Sequence, residues 1–144
     1  MDVDGILRAK GAAVVTIRPD ATVGELVRGL REERIGAMVV SEDGRTVLGI
    51  ISERDVVRGL ADRGPRILEA QVAELMTRQV VSCTPRDSVK QVMEEMTRRR
   101  VRHLPVVADG ALAGIISIGD VVKNRLEEMA METNVLREAY IARR

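Results

Sequence analysis

The stretch Gly49-Ile50-Ile51-Ser52-Glu53-Arg54-Asp55 returns 65 residues later as Gly114-Ile115-Ile116-Ser117-Ile118-Gly119-Asp120. The recurrence reaches well beyond these seven positions. Pro19 through Val23 corresponds to Pro85 through Val89, Ile35 to Val101, and Asp43-Gly44 to Asp109-Gly110, all at an offset of 66, before one residue drops out of the turn. Self-similarity at this length means a duplicated supersecondary unit. Each copy has too few and too short strands to cover its own sheet, so the two halves must pack on one another.

Each copy reads as short strand, helix, strand, strand, helix. In the first, the β-branched run AAVVTI (12–17) ends near Pro19, and Thr22 caps a helix with Glu25 as its capping-box partner and Val23, Leu26, Val27 and Leu30 on one face. IGAMVV and VLGIIS flank the turn EDGR, where Asp-Gly favours a tight hairpin. Ser52 closes the strand, and ERDVVRGLADRG forms a helix stopped by Gly64-Pro65. The second copy repeats this with VVSC, a helix opened by Asp87 or Ser88, the pair RHLPVV and LAGIIS around Ala108-Asp109-Gly110, and a long last helix with an expected break near Thr133-Asn134. RILEAQVAELMT, between the copies, has a helical rather than a flexible composition.

Composition narrows the chemistry. With 23 basic and 22 acidic residues no global field favours nucleic acid or an anionic membrane. Thr97-Arg98-Arg99-Arg100-Val101-Arg102 is a local basic run, but no aromatic residues are interleaved with it for base stacking. As a charge run at a helix end it is solvated and favourable to the helix dipole, and some of its arginines can screen polyphosphate at a cleft mouth. No apolar run approaches the ~18 residues of a spanning helix, the start does not read as a secretion signal, and the lone Cys83 excludes an internal disulfide. The default is a soluble protein of the cytoplasm with neither nucleic acid nor membrane as partner. There is no Trp or Phe and only one Tyr, Tyr140, so the core is aliphatic and a flat ligand has to be held between aliphatic side chains and backbone.

Two β-α-β-β-α units, each ending in G-h-h-S-x-x-D at a strand-to-helix junction, resemble the cystathionine β-synthase (CBS) domain pair. IGAMVV with GIISERDVV, and VRHLPVV with GIISIGDVVK, are similar to the small stand-alone CBS-pair proteins of bacteria, and the resemblance covers about residues 6–125. It implies an α/β (α+β) fold of two pseudo-twofold-related repeats packed as one module. Repeat one would span residues 6–64, a connecting segment 65–75, repeat two 76–126 and a C-terminal helical extension 127–144. It also implies a regulatory module rather than an enzyme, with no catalytic residue and no metal. Adenosine-containing ligands (AMP, ADP, ATP, S-adenosylmethionine or NAD) would bind in two clefts between the repeats, and two pairs would associate as a homodimer.

The residue types support such a ligand. A carboxylate at the first turn of a helix accepts the two vicinal hydroxyls of a ribose, and Asp55 and Asp120 fit that role. Ser52 and Ser117 lie three residues earlier, where a hydroxyl and helix-terminal amides meet phosphate oxygens. An Asp at that position is equally a helix cap, and a cap duplicates as readily as a ligand-binding residue. By the family pattern, one cleft combines Ile115, Ser117, Gly119 and Asp120 with Ala12, Val14, Ile35, Gly36 and Ala37, and with Arg102 and His103 near the phosphates. The other combines Ile50, Ser52, Arg54 and Asp55 with Val80 and Val101, and is narrowed by Arg102 and His103. The Asp120 cleft is therefore expected to be the better adenosine site, and the Asp55 cleft weaker or suited to a longer ligand whose phosphates reach Arg54. Gly49 and Gly114 are assigned to close backbone approach rather than to ligand.

Other chemistries fit poorly. Cys83 and His103 lack an orienting third group and an oxyanion donor, and one His with one Cys falls short of the ligands zinc takes. Met93, Met96, Met129 and Met131 are core and interface fillers. The expected function is an adenine-nucleotide-binding regulatory module that reports energy or redox state to an unidentified regulated protein. An NAD(H)-preferring redox sensor and a scaffold with vestigial clefts are the two alternatives. Val122, Leu126, Met129 and Leu136, on roughly one side of the last helix, are the candidate contact for a second copy or a partner.

Overall fold

A computed structural model of the chain describes residues 1–143; Arg144, the last residue of the expected C-terminal extension, lies outside the described residues. The chain forms α1 (Val3–Lys10), β1 (Thr16–Ile17), α2 (Val23–Glu33), β2 (Ala37–Val40), β3 (Gly49–Ser52), α3 (Glu53–Arg63), a 3-10 turn at Pro65–Glu69, α4 (Val72–Leu75), α5 (Val89–Arg99), β4 (His103–Ala108), β5 (Ala111–Ser117) and α6 (Ile118–Ala142). One sheet has the order β1-β2-β3, with β1 parallel and β3 antiparallel to β2, and the other is the antiparallel pair β4-β5. The mixed α+β architecture matches the fold class expected from the sequence.

Local chemistry starts the helices where the sequence indicates. The Thr22 hydroxyl accepts the Glu25 amide at 3.1 Å and the Glu25 carboxylate accepts the Thr22 amide at 3.2 Å, a reciprocal cap for α2. At α5 the cap is Ser88, paired in the same way with Gln91, while Asp87 accepts the Thr84 amide at 2.9 Å in the turn before. Both helices end at an arginine in the left-handed region, Arg34 and Arg100, each with φ 55°. The tight Asp-Gly turn forms only in the second half, where Asp109 (φ 51°) and Gly110 (φ 76°) join β4 to β5. In the first half residues 41–48 make a wider loop, because Asp43 gathers the Ser41 hydroxyl and the Arg45 and Thr46 amides onto its carboxylate.

Two expected elements differ. The strand read over residues 12–17 is confined to Thr16–Ile17, and VVSC contributes a single parallel bridge from Cys83 to Val106. The last helix runs unbroken through Thr133, whose hydroxyl donates to the Met129 carbonyl at 3.0 Å and so takes up its polar group within the helix.

The short strands have a common cause in how the halves are sealed. α1, which precedes the first copy, packs on the second: Val3, Ile6 and Leu7 are buried with Val89, Val92, Met96, Leu104, Val106, Ile116 and Val121. The segment preceding the second copy closes the first, with Val72 and Met76 among Val23, Leu26, Leu30, Met38, Val40, Ile51 and Val56. The hydrogen bonds repeat the exchange: Val3 and Asp4 donate to the Asp87 and Pro85 carbonyls at 2.9 Å each, as Val72 and Ala73 donate to Ala21 and Pro19 at 2.8 and 3.0 Å. Residues 12–15 and 78–82 carry the chain from one half to the other, so their backbone is not available for long strands. Close packing at these seals also explains Gly49 and Gly114. A Cβ on Gly49 would stand 2.8 Å from the Thr77 carbonyl oxygen, and one on Gly114 would stand 2.7 Å from the end of Leu7.

Candidate functional site

At both strand-to-helix junctions the aspartate first acts as a cap. Asp55 Oδ2 accepts the Ser52 amide at 2.8 Å and the Ser52 hydroxyl at 3.1 Å. Asp120 Oδ2 accepts the Ser117 amide at 2.8 Å, and the Asp120 amide donates to the Ser117 hydroxyl at 3.2 Å. Capping through Oδ2 holds each carboxylate at the mouth of a helix, half-buried, and leaves Oδ1 without a hydrogen bond among the described residues. The second half adds a cation: Lys10 Nζ lies 2.7 Å from Asp120 Oδ2 and 2.9 Å from the Ile115 carbonyl oxygen. Burial pushes the Asp120 carboxyl up, but the Lys10 ammonium and the Ser117 amide outweigh it and hold the group below its usual value of 3.8.

The Asp55 side opens into a cleft of about 480 Å³, a volume in the range of small-molecule sites. Ile50, Ser52, Arg54 and Asp55 line it from the first half, and Val101, Arg102 and His103 from the second, together with Gly36. The Arg54 guanidinium donates to the Arg100 carbonyl at 3.2 Å, so the wall itself ties one half to the other. Arg58, one helical turn after Arg54, and Arg99 and Arg100 at the end of α5 also face the cleft, as do Glu53, Thr77, Gln79 and Val81. The sequence signals for these were partial. Arg58 follows Arg54 by the four-residue helical spacing, whereas nothing local marks Thr77 or Gln79.

His103 sits between the two junctions. A Cβ on Gly36 would stand 3.2 Å from the ring, which is why small residues are needed there. Burial holds the His103 imidazole below its usual value of 6.5, against the opposing pull of the Glu53 and Asp120 carboxylates.

Of the residues expected around Asp120, Ser117 and Ile115 meet at its junction and Gly119 leaves the adjacent helix turn open, with only the Ser117 hydroxyl within 4 Å of an added Cβ. Ala37 is buried in β2 opposite Ser52, and Ile35 packs partly buried against the core of the first half. Ala12 and Val14 lie in the irregular stretch before β1, and half-buried Val80 lies between the cleft-lining Gln79 and Val81. Arg102 and His103 line the Asp55 cleft.

Cys83 is buried, and burial with the nearby Asp87 charge pushes its thiol up to about 12, far from the thiolate a nucleophile requires. Among the described residues no three His, Cys, Asp or Glu side chains gather as a metal site, and no helix is long and apolar enough to cross a membrane.

Comparison with known proteins converges on one family. The CBS domain pattern matches residues 11–62 and again 72–127. A mitochondrial CBS domain-containing protein of Arabidopsis thaliana is 32% identical over 147 aligned residues, covering 96% of this chain and 71% of that protein. A CBS-domain protein of Agrobacterium tumefaciens, solved by crystallography, superposes with a TM-score of 0.84 at 46% identity, over 87% of this chain and 99% of that one. A CBS domain pair crystallised with 5′-methylthioadenosine and S-adenosyl-L-methionine superposes with a TM-score of 0.79 at 22% identity, over 89% of this chain and 98% of that one, a likeness of fold.

Proposed function

The chain belongs to the CBS-domain family as a tandem pair, a class of regulatory modules, and from that premise we propose that it is a non-catalytic sensor of a phosphorylated adenosine ligand of the AMP, ADP or ATP type. The observation that carries this is the Asp55 cleft, which sets a capped carboxylate and Arg54, Arg58, Arg100 and Arg102 around one 480 Å³ space. A ribose offers two hydroxyl donors to the free oxygen of Asp55, and the phosphates extend toward the arginines, whose planar forks suit phosphate oxygens. The aliphatic walls, Ile50, Val81 and Val101, suit a purine face in a chain that has no Trp or Phe. An adenosine-type ligand in another CBS pair supports the same ligand class.

Because the cleft takes residues from both halves, a bound nucleotide favours the packing in which Arg54 and Arg100 stay close. Signalling is then a shift in population, limited by the difference in affinity between packings. A second copy of this chain is the expected partner of the apolar stripe Val122, Leu126, Met129 and Leu136, exposed along α6, and a regulated protein reads the result. The buried, protonated Cys83 suits the reducing cytoplasm.

Thermal unfolding with AMP, ADP, ATP, NAD, NADH and S-adenosylmethionine tests the proposal. A ligand bound at 100 times its Kd stabilises by about 2.7 kcal/mol, so a clear rise in Tm with ADP or ATP is expected. A larger rise with NAD or NADH would move the function to redox sensing. No rise with any of them would contradict ligand binding and leave a scaffold.

A further inference from the structure

The two aspartates occupy equivalent places, yet only one carries a cation from another part of the chain. Lys10 is the last residue of α1, and α1 is held on the second half by buried Val3, Ile6 and Leu7 and by the backbone bonds of Val3 and Asp4. The position of Lys10 is therefore set by a packed helix. Its ammonium meets Asp120 Oδ2 at 2.7 Å and the Ile115 carbonyl at 2.9 Å. In the first half the equivalent carbonyl, that of Ile50, accepts the Thr77 amide at 2.8 Å, and Thr77 in turn accepts from Ile50. The difference arises from helix length. α4 stops at Leu75, and the chain then extends and pairs with Ile50 as a bridge. α1 continues to Lys10, so the backbone bridge is replaced by a side chain that reaches over Ile115 to the aspartate.

An ammonium has three donors and no acceptor. Lys10 engages the same Oδ2 that takes the Ser117 amide, so it blocks a ribose by standing against the carboxylate as a fixed cation with no acceptor for the sugar hydroxyls, rather than by using up the carboxylate's oxygens. At Asp55 the corresponding second bond comes from the Ser52 hydroxyl, which can rotate away or itself accept from a ligand.

Resting on the nucleotide-binding reading above, we propose that Lys10 is a specificity-determining residue: it occupies the Asp120 cleft as an internal ligand and closes it to ribose while α1 is docked, so that the Asp55 cleft alone takes a nucleotide. This reverses the ranking drawn from the sequence, in which the small residues beside Asp120 made it the better site. The space left by Gly119 lies beside a carboxylate that already holds Lys10.

Titration calorimetry with AMP on the full chain tests this by counting sites. The native protein is expected to bind one AMP per chain. Lys10→Met, which keeps most of the aliphatic stem and removes the cation, is expected to bind two, and adding Asp120→Asn to it should return the count to one. Lys10→Arg, which retains a cation, should keep the count at one. If thermal melting shows that Lys10→Met is unfolded, Lys10→Gln takes its place. Two sites in the native protein, or one in a folded Lys10→Met or Lys10→Gln, overturn the role of Lys10 while leaving nucleotide binding intact. No binding by the native protein or by either Lys10 variant overturns nucleotide binding itself, and the role of Lys10 with it.

Discussion

The two halves share their caps, their hairpins and the Ser-x-x-Asp junction, and they diverge in what crosses over from the other half. At the first junction the visitor is backbone: Thr77 pairs with Ile50, and Met76 packs under Gly49. At the second it is side chain: Leu7 lies against Gly114, and Lys10 covers Ile115 and Asp120. Arg54 spans the halves to the Arg100 carbonyl, whereas its counterpart Gly119 has no side chain with which to reach across. Duplication thus made two equal corners, and the segments that seal them made them unequal. One is a cleft edged with arginine; in the other the aspartate is already paired.

The largest expected break of this asymmetry is at the ribose. Asp55→Asn removes charge-assisted bonds worth about 1.5–3 kcal/mol each, so AMP affinity measured by calorimetry should fall by roughly a hundredfold or more, while Asp120→Asn leaves it within about twofold.

Next comes the packing beneath the junctions. Gly49→Ala presses on a backbone carbonyl at 2.8 Å, and Gly114→Ala presses on the flexible end of Leu7 at 2.7 Å. Overpacking costs about 1–3 kcal/mol, and urea unfolding should place Gly49→Ala near the top of that range and Gly114→Ala at or below its bottom. Equal losses would mean that the two seals do not differ as described.

Arg54→Gly makes the first corner resemble the second. Losing one guanidinium from the phosphate wall should weaken ADP more than adenosine, by about tenfold in the ratio of their affinities. An unchanged ratio would place the phosphates away from Arg54.

The smallest effect is electrostatic. Asp120 is held below 3.8 in the folded protein, so the unfolded state binds the proton first as pH falls. The stability from its pairing is complete above the unfolded value and is lost as pH drops through the folded one. Lys10→Met should remove most of that acid-side dependence, a difference of about 1 kcal/mol or less for a partly exposed pair, read from unfolding midpoints between pH 5 and pH 2.

Much of this is legible in the sequence itself. The repeat fixes the element order, and Thr22 with Glu25 and the Asp109-Gly110 turn form as their local chemistry dictates, because each is satisfied within three residues. The choice between Asp87 and Ser88 needed the geometry, since both offer a capping oxygen. The exchange of leading segments was not legible: Val3, Ile6 and Leu7 form a helix face too short to announce its partner, and the partner lies in the other copy. Lys10 was hidden for the same reason, standing 110 positions before Asp120 in the sequence. The ranking of the clefts rested on the sizes of Gly36, Ala37 and Gly119, which describe room but not occupancy.

Crystals of the full chain grown with AMP would test the inequality of the two corners most directly. The expected map shows the nucleotide in the Asp55 cleft, its ribose on Asp55 and its phosphate toward the arginines, with Lys10 still on Asp120. A nucleotide on Asp120 with Lys10 displaced and the Asp55 cleft empty would contradict the account.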